Sequence, residues 1–316
     1  MNILITGIHG FIGGNIVSIL KEQHSIYGLD IVSPPNDGVV KTFGWDELKN
    51  IPTMDCVIHL AGKAHDTKNQ TNAPVYFDIN TGLTQKIFDW FLTTDASKFI
   101  FFSSVKAAAD RVEGKILTED VVPAPKGPYG ESKLAAEKYI LSQQQIWNMG
   151  RGTWNKKLFI LRPCMIHGPD NKGNLNLLYQ VVKKGIPWPL GAYENKRSIA
   201  SIDNVTYVIN QLIEKEIPSG IYQLADDETI STNEIIRLIA ASQNKKHKVW
   251  NVPRNLISFS AKLGYLLHLP LNSERLKKLT ESYVVSNQKI KKALGIKKMP
   301  VTAVDGLKKT FESFKK

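Results

Sequence analysis

Near its start the chain reads Asn2-Ile-Leu-Ile-Thr6-Gly-Ile-His-Gly-Phe-Ile-Gly13, an apolar run that leads directly into three glycines. The run is short enough to be a buried strand, and apolar residues then recur at helical spacing up to residue 20. The pattern predicts a strand, a tight turn through the glycines, and a helix. In such a turn the backbone can approach a pyrophosphate closely, and the helix N-terminus supplies free N–H groups.

A second predicted strand, residues 25–30, ends in the carboxylate of Asp30. An acid about twenty residues after a glycine turn can bind the ribose hydroxyls of a dinucleotide. Ile31, Val32 and Ser33 follow, with no arginine to hold a 2′-phosphate, so the sequence favours NAD over NADP. The alternative is that the glycines only permit close helix–strand packing and that Asp30 begins a loop. The combination of strand, glycines, helix and acid favours dinucleotide binding.

A second motif, Gly127-Pro-Tyr-Gly-Glu-Ser-Lys133, places Tyr129 and Lys133 four residues apart. In a helix this spacing brings the phenol and the ammonium onto one face. The ammonium and a cationic nicotinamide ring in front of it would together favour the phenolate, and lowering the phenol pKa by roughly three units corresponds to about 4 kcal/mol. Such a group can take a proton from a sugar hydroxyl or return one to a ketone. Alone, the pair is as readily a solvated surface contact, but beside a dinucleotide turn it indicates an oxidoreductase.

The two motifs together resemble the short-chain dehydrogenase/reductase superfamily, and more closely its extended branch, the nucleotide-sugar epimerase/dehydratase family. The resemblance extends over nearly the whole chain. It is carried by residues 6–13, 55–62, 77–81 (with Asn80 at a structural position), 98–104, 127–133, 161–169 and 197–204. It implies an α/β fold, in which a Rossmann-like, doubly wound parallel sheet is joined to a smaller, mostly helical C-terminal substrate lobe.

The chain has 316 residues, of which 42% are hydrophobic, enough for one large domain and a lobe. Strand and helix patterns alternate through residue 165, which predicts a parallel sheet. We expect an NAD-binding domain at 1–165, with 197–225 returning to it, and a substrate lobe at 166–196 and 226–316. Later elements are predicted as a strand at 220–225 and helices at 232–242, 255–268, 286–294 and 303–314. Residues 143–155 suggest an extra surface loop.

The resemblance implies Ser104, Tyr129 and Lys133 as the catalytic residues. Ser103 competes with Ser104, because a one-residue slip in a strand exchanges the side chains that face the two sides. The register of residues 98–104 against the family pattern favours Ser104 as the group that hydrogen-bonds the reacting oxygen.

The resemblance also implies which residues contact NAD. They lie in the glycine turn, at the ends of predicted strands and in the catalytic motif, and they are Gly7, Gly10, Phe11, Ile12, Gly13, Asp30, Leu60, Ala61, Gly62, Tyr129, Lys133, Pro163 and Ile166.

A UDP-sugar is the implied substrate, and the residues expected to bind it are Ser104, Asn174, Pro187, Trp188, Leu190 and Arg197. The planar guanidinium of Arg197 matches a diphosphate in bidentate fashion. Trp188 could equally pack a loop onto the core, since buried tryptophans are common. Relatives often add a second arginine near the C-terminus, but the local match at Arg275 is poor.

The residues after Ser104 discriminate between reactions. Relatives that dehydrate the sugar have an acidic residue directly after the catalytic Ser or Thr, whereas this chain has Val105 and Lys106, which argues against a 4,6-dehydratase. Hydride transfer at C4 of a UDP-hexose or UDP-N-acetylhexosamine remains.

Two net reactions are compatible with this site. The resemblance slightly favours 4-keto reduction of a UDP-4-keto-6-deoxy sugar for surface polysaccharide synthesis. The alternative is 4-epimerisation of UDP-glucose or UDP-N-acetylglucosamine, toward which Asp30 points by favouring NAD. More distant alternatives are a non-catalytic NAD-sensing protein and a reductase of lipid or phenolic alcohols on the same scaffold.

The formal net charge is +12, and many of the lysines lie in the last forty residues, spread along predicted helices. This spread is typical of solvated faces and not of a nucleic-acid motif, so no nucleic-acid partner is expected. The charge could steer an anionic sugar nucleotide or permit weak association with an anionic membrane surface.

Cellular context is predicted from what the sequence does not contain. Cys56 and Cys164 both fall in predicted core strands, which fits a reducing compartment. We recognise no signal peptide, no apolar stretch of about 18 residues and no metal-ligand spacing. The expectation is a cytoplasmic, metal-free enzyme that forms a homodimer.

Overall fold

A computed structural model describes residues 1–64, 72–150, 155–171, 173–246, 249–266 and 273–315. Its centre is a seven-stranded parallel sheet with the spatial order β3-β2-β1-β4-β5-β6-β9. These strands are β1 (Asn2–Thr6), β2 (Ser25–Leu29), β3 (Val39–Phe43), β4 (Cys56–His59), β5 (Lys98–Phe102), β6 (Lys157–Pro163) and β9 (Gly220–Leu224). The order reverses between β1 and β4, and in such sheets ligands bind beyond the carboxyl ends of the strands at this point.

Helices cover both faces of the large sheet and also build much of a smaller lobe. They are α1 (Phe11–Leu20), α2 (Ala73–Phe77), α3 (Leu83–Leu92), α4 (Val105–Ala108), α5 (Pro128–Gly150), α6 (Asn174–Lys183), α7 (Ile202–Glu214), α8 (Thr232–Ser242), α9 (Arg254–Leu266), α10 (Ser273–Thr280), α11 (Gln288–Leu294) and α12 (Ala303–Ser313). A 3₁₀ turn at Leu48–Asn50 precedes β4, and a π-helical turn at Asp78–Gly82 joins α2 to α3.

The alternation of side chains along β1 builds two hydrophobic cores. Ile3 and Ile5 pack on one face with residues of α1 and α7, whereas Leu4 packs on the other face with residues of α3 and α5. Because both faces are covered, every residue of β4 is buried and the strand reads as a continuous run with little alternation. The expected doubly wound parallel sheet is confirmed.

A smaller lobe contains its own sheet. In it β8 (Arg197–Ser201) pairs in parallel with β7 (Met165–His167) and antiparallel with β10 (Thr229–Ile230). A third hydrophobic core joins this sheet to α6, α8 and α12. The lobe is therefore mostly helical, as expected, with a short mixed sheet at its base.

The segment 197–225 divides between the two parts. β9 pairs with β6 at the edge of the large sheet, and α7 packs against that sheet, but β8 belongs to the sheet of the lobe. The later helices lie close to their predicted positions, and residues 267–268 of the helix expected at 255–268 fall outside the described residues.

The surface loop expected at residues 143–155 is wrong for residues 143–150, because α5 continues through Gly150. Trp147 and Gly150 suggested an interruption, but the glutamines before them are good helix formers. Residues 151–154 lie outside the described part of the chain.

The described ranges contain neither a membrane-spanning helix nor a cluster of metal-ligating side chains. No helix there is long and apolar enough to cross a membrane. Within the same ranges, no group of three or more His, Cys, Asp or Glu side chains could hold a metal ion.

Candidate active site

A cleft of about 1050 Å³ opens at the carboxyl ends of the central strands and is closed on its far side by the lobe. Of the predicted site residues, those that line it are Gly10, Phe11, Ile12, Leu60, Gly62, Ser104, Tyr129, Lys133, Pro163, Ile166 and Arg197. The cleft therefore brings the glycine turn, the Tyr–Lys pair and Arg197 into one continuous space, although they lie far apart in the sequence.

The glycine turn has the geometry that a dinucleotide site needs. Gly7 adopts a positive φ of 67°, and a Cβ there would lie 2.9 Å from the backbone of Ala61. A Cβ on Gly13 would lie 2.4 Å from the carbonyl oxygen of Ile8, so only glycine allows α1 to start this close to β1. Gly10 precedes α1 without a side-chain cap, which leaves the helix N-terminus open toward the cleft.

Asp30 follows β2, behind the residues that line the cleft. Its Oδ2 accepts a hydrogen bond from the backbone N–H of His9 (3.1 Å), and its Oδ1 accepts one from that of Ile31 (2.8 Å). The carboxylate is thereby oriented next to the glycine turn, with lone pairs left for ribose hydroxyls. His9, which we did not single out from the sequence, lines the cleft, and its buried Nε2 has no partner among the described residues.

Ser104 and Tyr129 meet at the cleft wall. Ser104 caps α4, where its Oγ accepts from the N–H of Lys106 (3.2 Å), and its hydroxyl lies near enough to Tyr129 to lower the pKa of the phenol. The ring of Tyr76 stands edge-on to Tyr129, with 6.4 Å between the ring centroids. The structure thus joins the predicted acid/base to the predicted serine.

The expected lowering of the Tyr129 pKa relies on Lys133 together with the nicotinamide ring, and the protein groups alone do not produce it. Burial raises the pKa of Tyr129, the hydrogen bond with Ser104 opposes this, and Tyr76 adds to the rise. The phenol is therefore protonated at neutral pH in the chain by itself. The sequence could not show this, because it gives the spacing of a charge but not the desolvation of the phenol.

Lys133 is buried one turn further along α5. Its Nζ donates to the carbonyl of Phe102 at the end of β5 (2.8 Å) and lies 5.1 Å from the centroid of the Phe101 ring. Burial lowers the pKa of Lys133 to about 8, against an opposing effect of Glu137. A Cβ on Gly62 would lie 3.0 Å from Nζ, so the glycine leaves room for the ammonium.

Ser103 also lines the cleft, but its hydroxyl is turned toward an interior carboxylate. Its Oγ donates to Oε1 of Glu137, which also accepts from Nε of Arg162 (2.9 Å), while Oε2 accepts from Nη2 of Arg162 (2.6 Å). These contacts distinguish the two serines and support Ser104 as the one that acts in the cleft. Glu137 follows Lys133 at helical spacing, a sequence signal that we did not use.

Asn80 ties the turn after β4 to α5. Its Oδ1 accepts from the N–H of Lys63 (2.7 Å), and its Nδ2 donates to the Lys63 carbonyl (3.1 Å) and to Oγ of Ser132 (2.9 Å). Asn80 lies in the π-helical turn, and π-turns are frequent at functional sites because they re-aim side chains. The structural asparagine implied by the resemblance therefore positions residues beside the cleft.

A buried histidine supports the same turn. Thr84 Oγ1 donates to the Asn80 carbonyl (2.6 Å) and must therefore accept from Nε2 of His59 (2.9 Å). Nδ1 of His59 in turn accepts from Thr6 Oγ1 (2.6 Å), whose oxygen accepts from the N–H of Ala61 (3.0 Å). Burial, followed by the charge of Lys133, holds the pKa of His59 well below its usual value, so the ring is neutral and has one tautomer.

The expected substrate residues do not all lie in the cleft. Arg197 lines it, with Nη1 donating to the Lys278 carbonyl (2.5 Å). Trp188 and Leu190 are instead buried in the core of the lobe, where Nε1 of Trp188 donates to Oδ1 of Asn233 (2.9 Å). The packing alternative thus describes where Trp188 lies, and neither these residues nor Pro187 line the cleft.

The substrate end of the cleft involves residues that the sequence singled out and others that it did not. Asn174 is the first residue of α6, but its side chain, like that of Arg275, lies outside the described part. Lys106 and Tyr283 line the cleft without having been singled out as binding residues. The Tyr283 hydroxyl donates to the Ala109 carbonyl (2.7 Å), which fixes the ring as a wall.

A strand–glycine–helix turn and a Ser–Tyr–Lys set in one cleft define the class of protein, a dinucleotide-dependent oxidoreductase of the short-chain type. The family model for the NAD-dependent epimerase/dehydratase family matches residues 3–225. The chain belongs to this family, and NAD is its cofactor.

Two characterised relatives show the range of related enzymes. The chain is 29% identical to UDP-glucose 4-epimerase of Vibrio cholerae over 99% of its own length and 95% of the relative. It is 24% identical to GDP-6-deoxy-D-mannose reductase of Pseudomonas aeruginosa, over 75% of the chain and 79% of the relative. Epimerases and reductases of nucleotide sugars therefore both resemble this chain.

Solved structures share the fold. The UDP-glucose 4-epimerase of Thermotoga maritima with UDP-glucose superposes with a TM-score of 0.76 at 20% identity, covering 100% of this chain and 99% of that one. The UDP-glucuronic acid 4-epimerase of Bacillus cereus with NAD superposes with a TM-score of 0.74 at 18% identity, with the same coverage.

Proposed function

We propose that this protein is an NAD-dependent 4-epimerase of a UDP-hexose or UDP-N-acetylhexosamine. The observation that carries the proposal is the continuous cleft in which Ser104, Tyr129 and Lys133 lie between the glycine turn and Arg197. The carboxyl end of the large sheet and the start of α1 would hold the cofactor, and the lobe would close over the sugar nucleotide. The homology to the Vibrio cholerae epimerase over almost the full length supports the same choice.

The glycine turn, Asp30 and Lys133 are the groups that would hold NAD. Gly7, Gly10 and Gly13 leave space for a diphosphate at the start of α1, and Asp30 would accept from ribose hydroxyls. When bound, NAD accepts a hydride from C4 and returns it, and its oxidised ring carries a positive charge that favours the phenolate of Tyr129.

The proton at the sugar O4 is the task of the protein. Ser104 would hold O4 by a hydrogen bond, and Tyr129 would take the proton as the alcohol becomes a ketone and return it in the reverse step. Lys133 is held by the Phe102 carbonyl, so its ammonium is aligned before any ligand binds. Arg197 would pair with the diphosphate and leave the hexose free to turn over between the two hydride transfers.

A 4-keto reductase is the second candidate. The resemblance of the sequence to the epimerase/dehydratase family slightly favours this reaction. The Pseudomonas aeruginosa reductase among the relatives supports it. We now place the epimerase first because its match covers nearly all of the chain and because Asp30 is oriented to select NAD. An enzyme that returns the same hydride needs no supply of reduced cofactor.

Two measurements on freshly purified protein separate the candidates. Acid release should yield NAD at close to one per chain for an epimerase, whereas a reductase should release little and bind added cofactor reversibly. Proton NMR should then show UDP-glucose or UDP-N-acetylglucosamine converting to its C4 epimer without added cofactor. Conversion of a UDP-4-keto-6-deoxy sugar only with added NADH would establish the reductase. Bound NAD without turnover of any of these sugars would favour the NAD-sensing alternative.

Cofactor choice has its own test at Asp30. Its carboxylate should repel a 2′-phosphate, so NADH should bind more tightly than NADPH in parallel titrations. Asp30→Ala should reduce the difference between the two cofactors. Tighter binding of NADPH by the unmodified protein would contradict the proposed role of Asp30.

A further inference from the structure

Three successive residues at the end of β5 are each held by a different residue of α5. The Phe102 carbonyl accepts from Lys133, the Ser103 hydroxyl donates to Glu137, and the Ser104 hydroxyl faces Tyr129, which lines the same cleft. Tyr129, Lys133 and Glu137 are spaced four residues apart and therefore lie along one face of the helix. Tyr129 and Lys133 line the cleft and belong to the proposed reaction, but Glu137 does not reach the cleft.

Glu137 is fixed from the opposite side by Arg162 of β6. The bidentate contact uses both carboxylate oxygens, and the two side chains are 1% and 2% exposed. Breaking a buried pair of this kind by removing one partner leaves an uncompensated charge, and a hydrophobic pair of similar volume often stabilises a protein as well or better. Stability alone therefore gives no strong reason for an ion pair here.

We propose that Glu137 and Arg162 are positioning residues: they hold Ser103 in the interior and thereby present Ser104 and the Phe102 carbonyl to Tyr129 and Lys133. Ser103 and Ser104 are adjacent in an extended segment, so the inward anchor of one determines the outward direction of the other. The inference rests on the proposed roles of Ser104, Tyr129 and Lys133. Glu137 and Arg162 would act on the reaction only indirectly, through the position of these residues.

The charge of Glu137 can be detected through its effect on the pKa of Lys133, which also depends on the other groups around that lysine. Glu137 raises the pKa of Lys133 against the effect of burial, while Tyr129 precedes Lys133 by one turn and neutral His59 lies beneath it. Loss of the Glu137 charge should therefore lower the pKa of Lys133 further. Lys133 would then lose its proton at a lower pH than in the unmodified protein.

Three variants test the proposal by different routes. Ser103→Ala removes the anchor and keeps the ion pair, Glu137→Gln removes the charge, and the double variant Glu137→Leu/Arg162→Met replaces the pair without leaving an orphan charge. Asp227→Asn is the matched control. Asp227, like Glu137, forms an ion pair with a basic side chain (Lys291, 2.6 Å), but it lies away from the cleft.

The first readout is the titration of Lys133 by ¹³Cε NMR, assigned with Lys133→Arg. The midpoint should lie near pH 8 in the unmodified protein, move to lower pH in Glu137→Gln, and stay in place in Asp227→Asn. An unshifted midpoint in Glu137→Gln overturns the proposal. Since this measurement needs no turnover, it tests the pair even if the proposed reaction is wrong.

The second readout is kcat against KM for the sugar that the unmodified protein converts. Ser103→Ala and the double variant should lose about tenfold in kcat with little change in KM, because a small misplacement of a reacting group is costly. Urea unfolding should show the double variant folded. Wild-type kcat in Ser103→Ala, or in a folded double variant, would overturn the positioning role.

Discussion

At the scale of single residues, the structure concentrates its unusual environments at the end of β5 and the start of α5. Tyr129 has a raised pKa and Lys133 a lowered one, and in both cases burial is the main cause. Titratable groups that burial and specific partners perturb together are typical of functional sites. At neutral pH the Tyr129 phenol is therefore protonated, whereas Lys133, with a pKa of about 8, still carries its charge and releases it more readily than an ordinary lysine.

The first residue-scale prediction concerns Tyr129. Tyr129→Phe removes the exchangeable proton and the hydrogen bond to Ser104, and we expect kcat to fall by about 10²–10⁴-fold. Folding and NAD affinity should change little. The control is Tyr139→Phe on the same helix, whose hydroxyl contacts Asp89 at the surface, and it should keep its activity. Activity of Tyr129→Phe within a few-fold of the unmodified protein would refute the assignment.

Arg197 is the second residue whose replacement separates binding functions. Loss of a charge-assisted contact to the diphosphate should weaken UDP and UDP-sugar binding alike in Arg197→Ala, by about 2–4 kcal/mol. Arg197→Lys should recover part of this, since a point charge cannot reproduce the planar fork.

Calorimetry with UDP and with NAD measures the effect of Arg197. NAD affinity should be unchanged in Arg197→Ala. Arg111→Ala is the control, because Arg111 is exposed and makes only a long contact to Glu281 (3.8 Å). Unchanged UDP affinity in Arg197→Ala would place the diphosphate elsewhere in the cleft.

At the scale of elements, the start of α1 depends on the close approach of Gly13 to the preceding turn. Gly13→Ala would put a methyl group 2.4 Å from the Ile8 carbonyl oxygen, and we expect the free energy of unfolding to fall by about 1–3 kcal/mol. Gly14→Ala is a matched control, because a Cβ there meets no atom within 4 Å. The control should gain about 0.5–1 kcal/mol from reduced chain entropy. Urea unfolding of both variants measures the contrast, and equal stabilities would refute the close-approach argument.

The end of α7 depends on a buried lysine from β5. Nζ of Lys98 donates to the carbonyls of Leu212 (3.2 Å), Ile213 (2.5 Å) and Lys215 (3.2 Å), which satisfies the last turn of the helix. Lys98→Met should lower the free energy of unfolding by about 1.5–3 kcal/mol.

A surface lysine on the neighbouring strand is the comparison for Lys98. Lys157 pairs with Glu216 (3.2 Å) at an exposed position, so Lys157→Met should cost less than about 1 kcal/mol. Chemical denaturation of the two variants gives both values. An equal cost would mean that the Lys98 contacts do not stabilise α7.

At the scale of the whole molecule, the net charge of +12 surrounds a cleft that contains Lys106, Lys133 and Arg197 but only Asp170 as an acid. This field should attract UDP, so the association rate should fall about 3- to 10-fold between about 20 mM and 200 mM salt. Stopped-flow binding measures the rate. Uridine, which has no phosphate, is the control and should show little dependence, and equal salt dependence of the two ligands would exclude steering.

The large-scale architecture followed from local patterns in the sequence. Residues 2–13 predict strand, turn and helix because each requirement is met by neighbours: apolar side chains in a row, then glycines where a Cβ would clash, then apolar residues at helical spacing. The same is true of Tyr129 and Lys133, whose relation is a spacing along one helix. Such features are readable because backbone geometry alone carries them from residue to residue.

The structure decided what depends on contacts between distant residues. Ser103 and Ser104 are adjacent residues of the same type, and the strand register only favoured Ser104. The contact with Glu137, 34 residues away, shows that the Ser103 hydroxyl is the one turned inward. Trp188 matched a substrate-binding segment as well as a core segment until its contact with Asn233 placed it in the lobe. Burial of Tyr129, which raises its pKa in the protein by itself, likewise could not be read from the spacing to Lys133. Solvent exclusion and side-chain partners arise from packing, and packing joins elements whose order along the chain does not specify which side chains will meet.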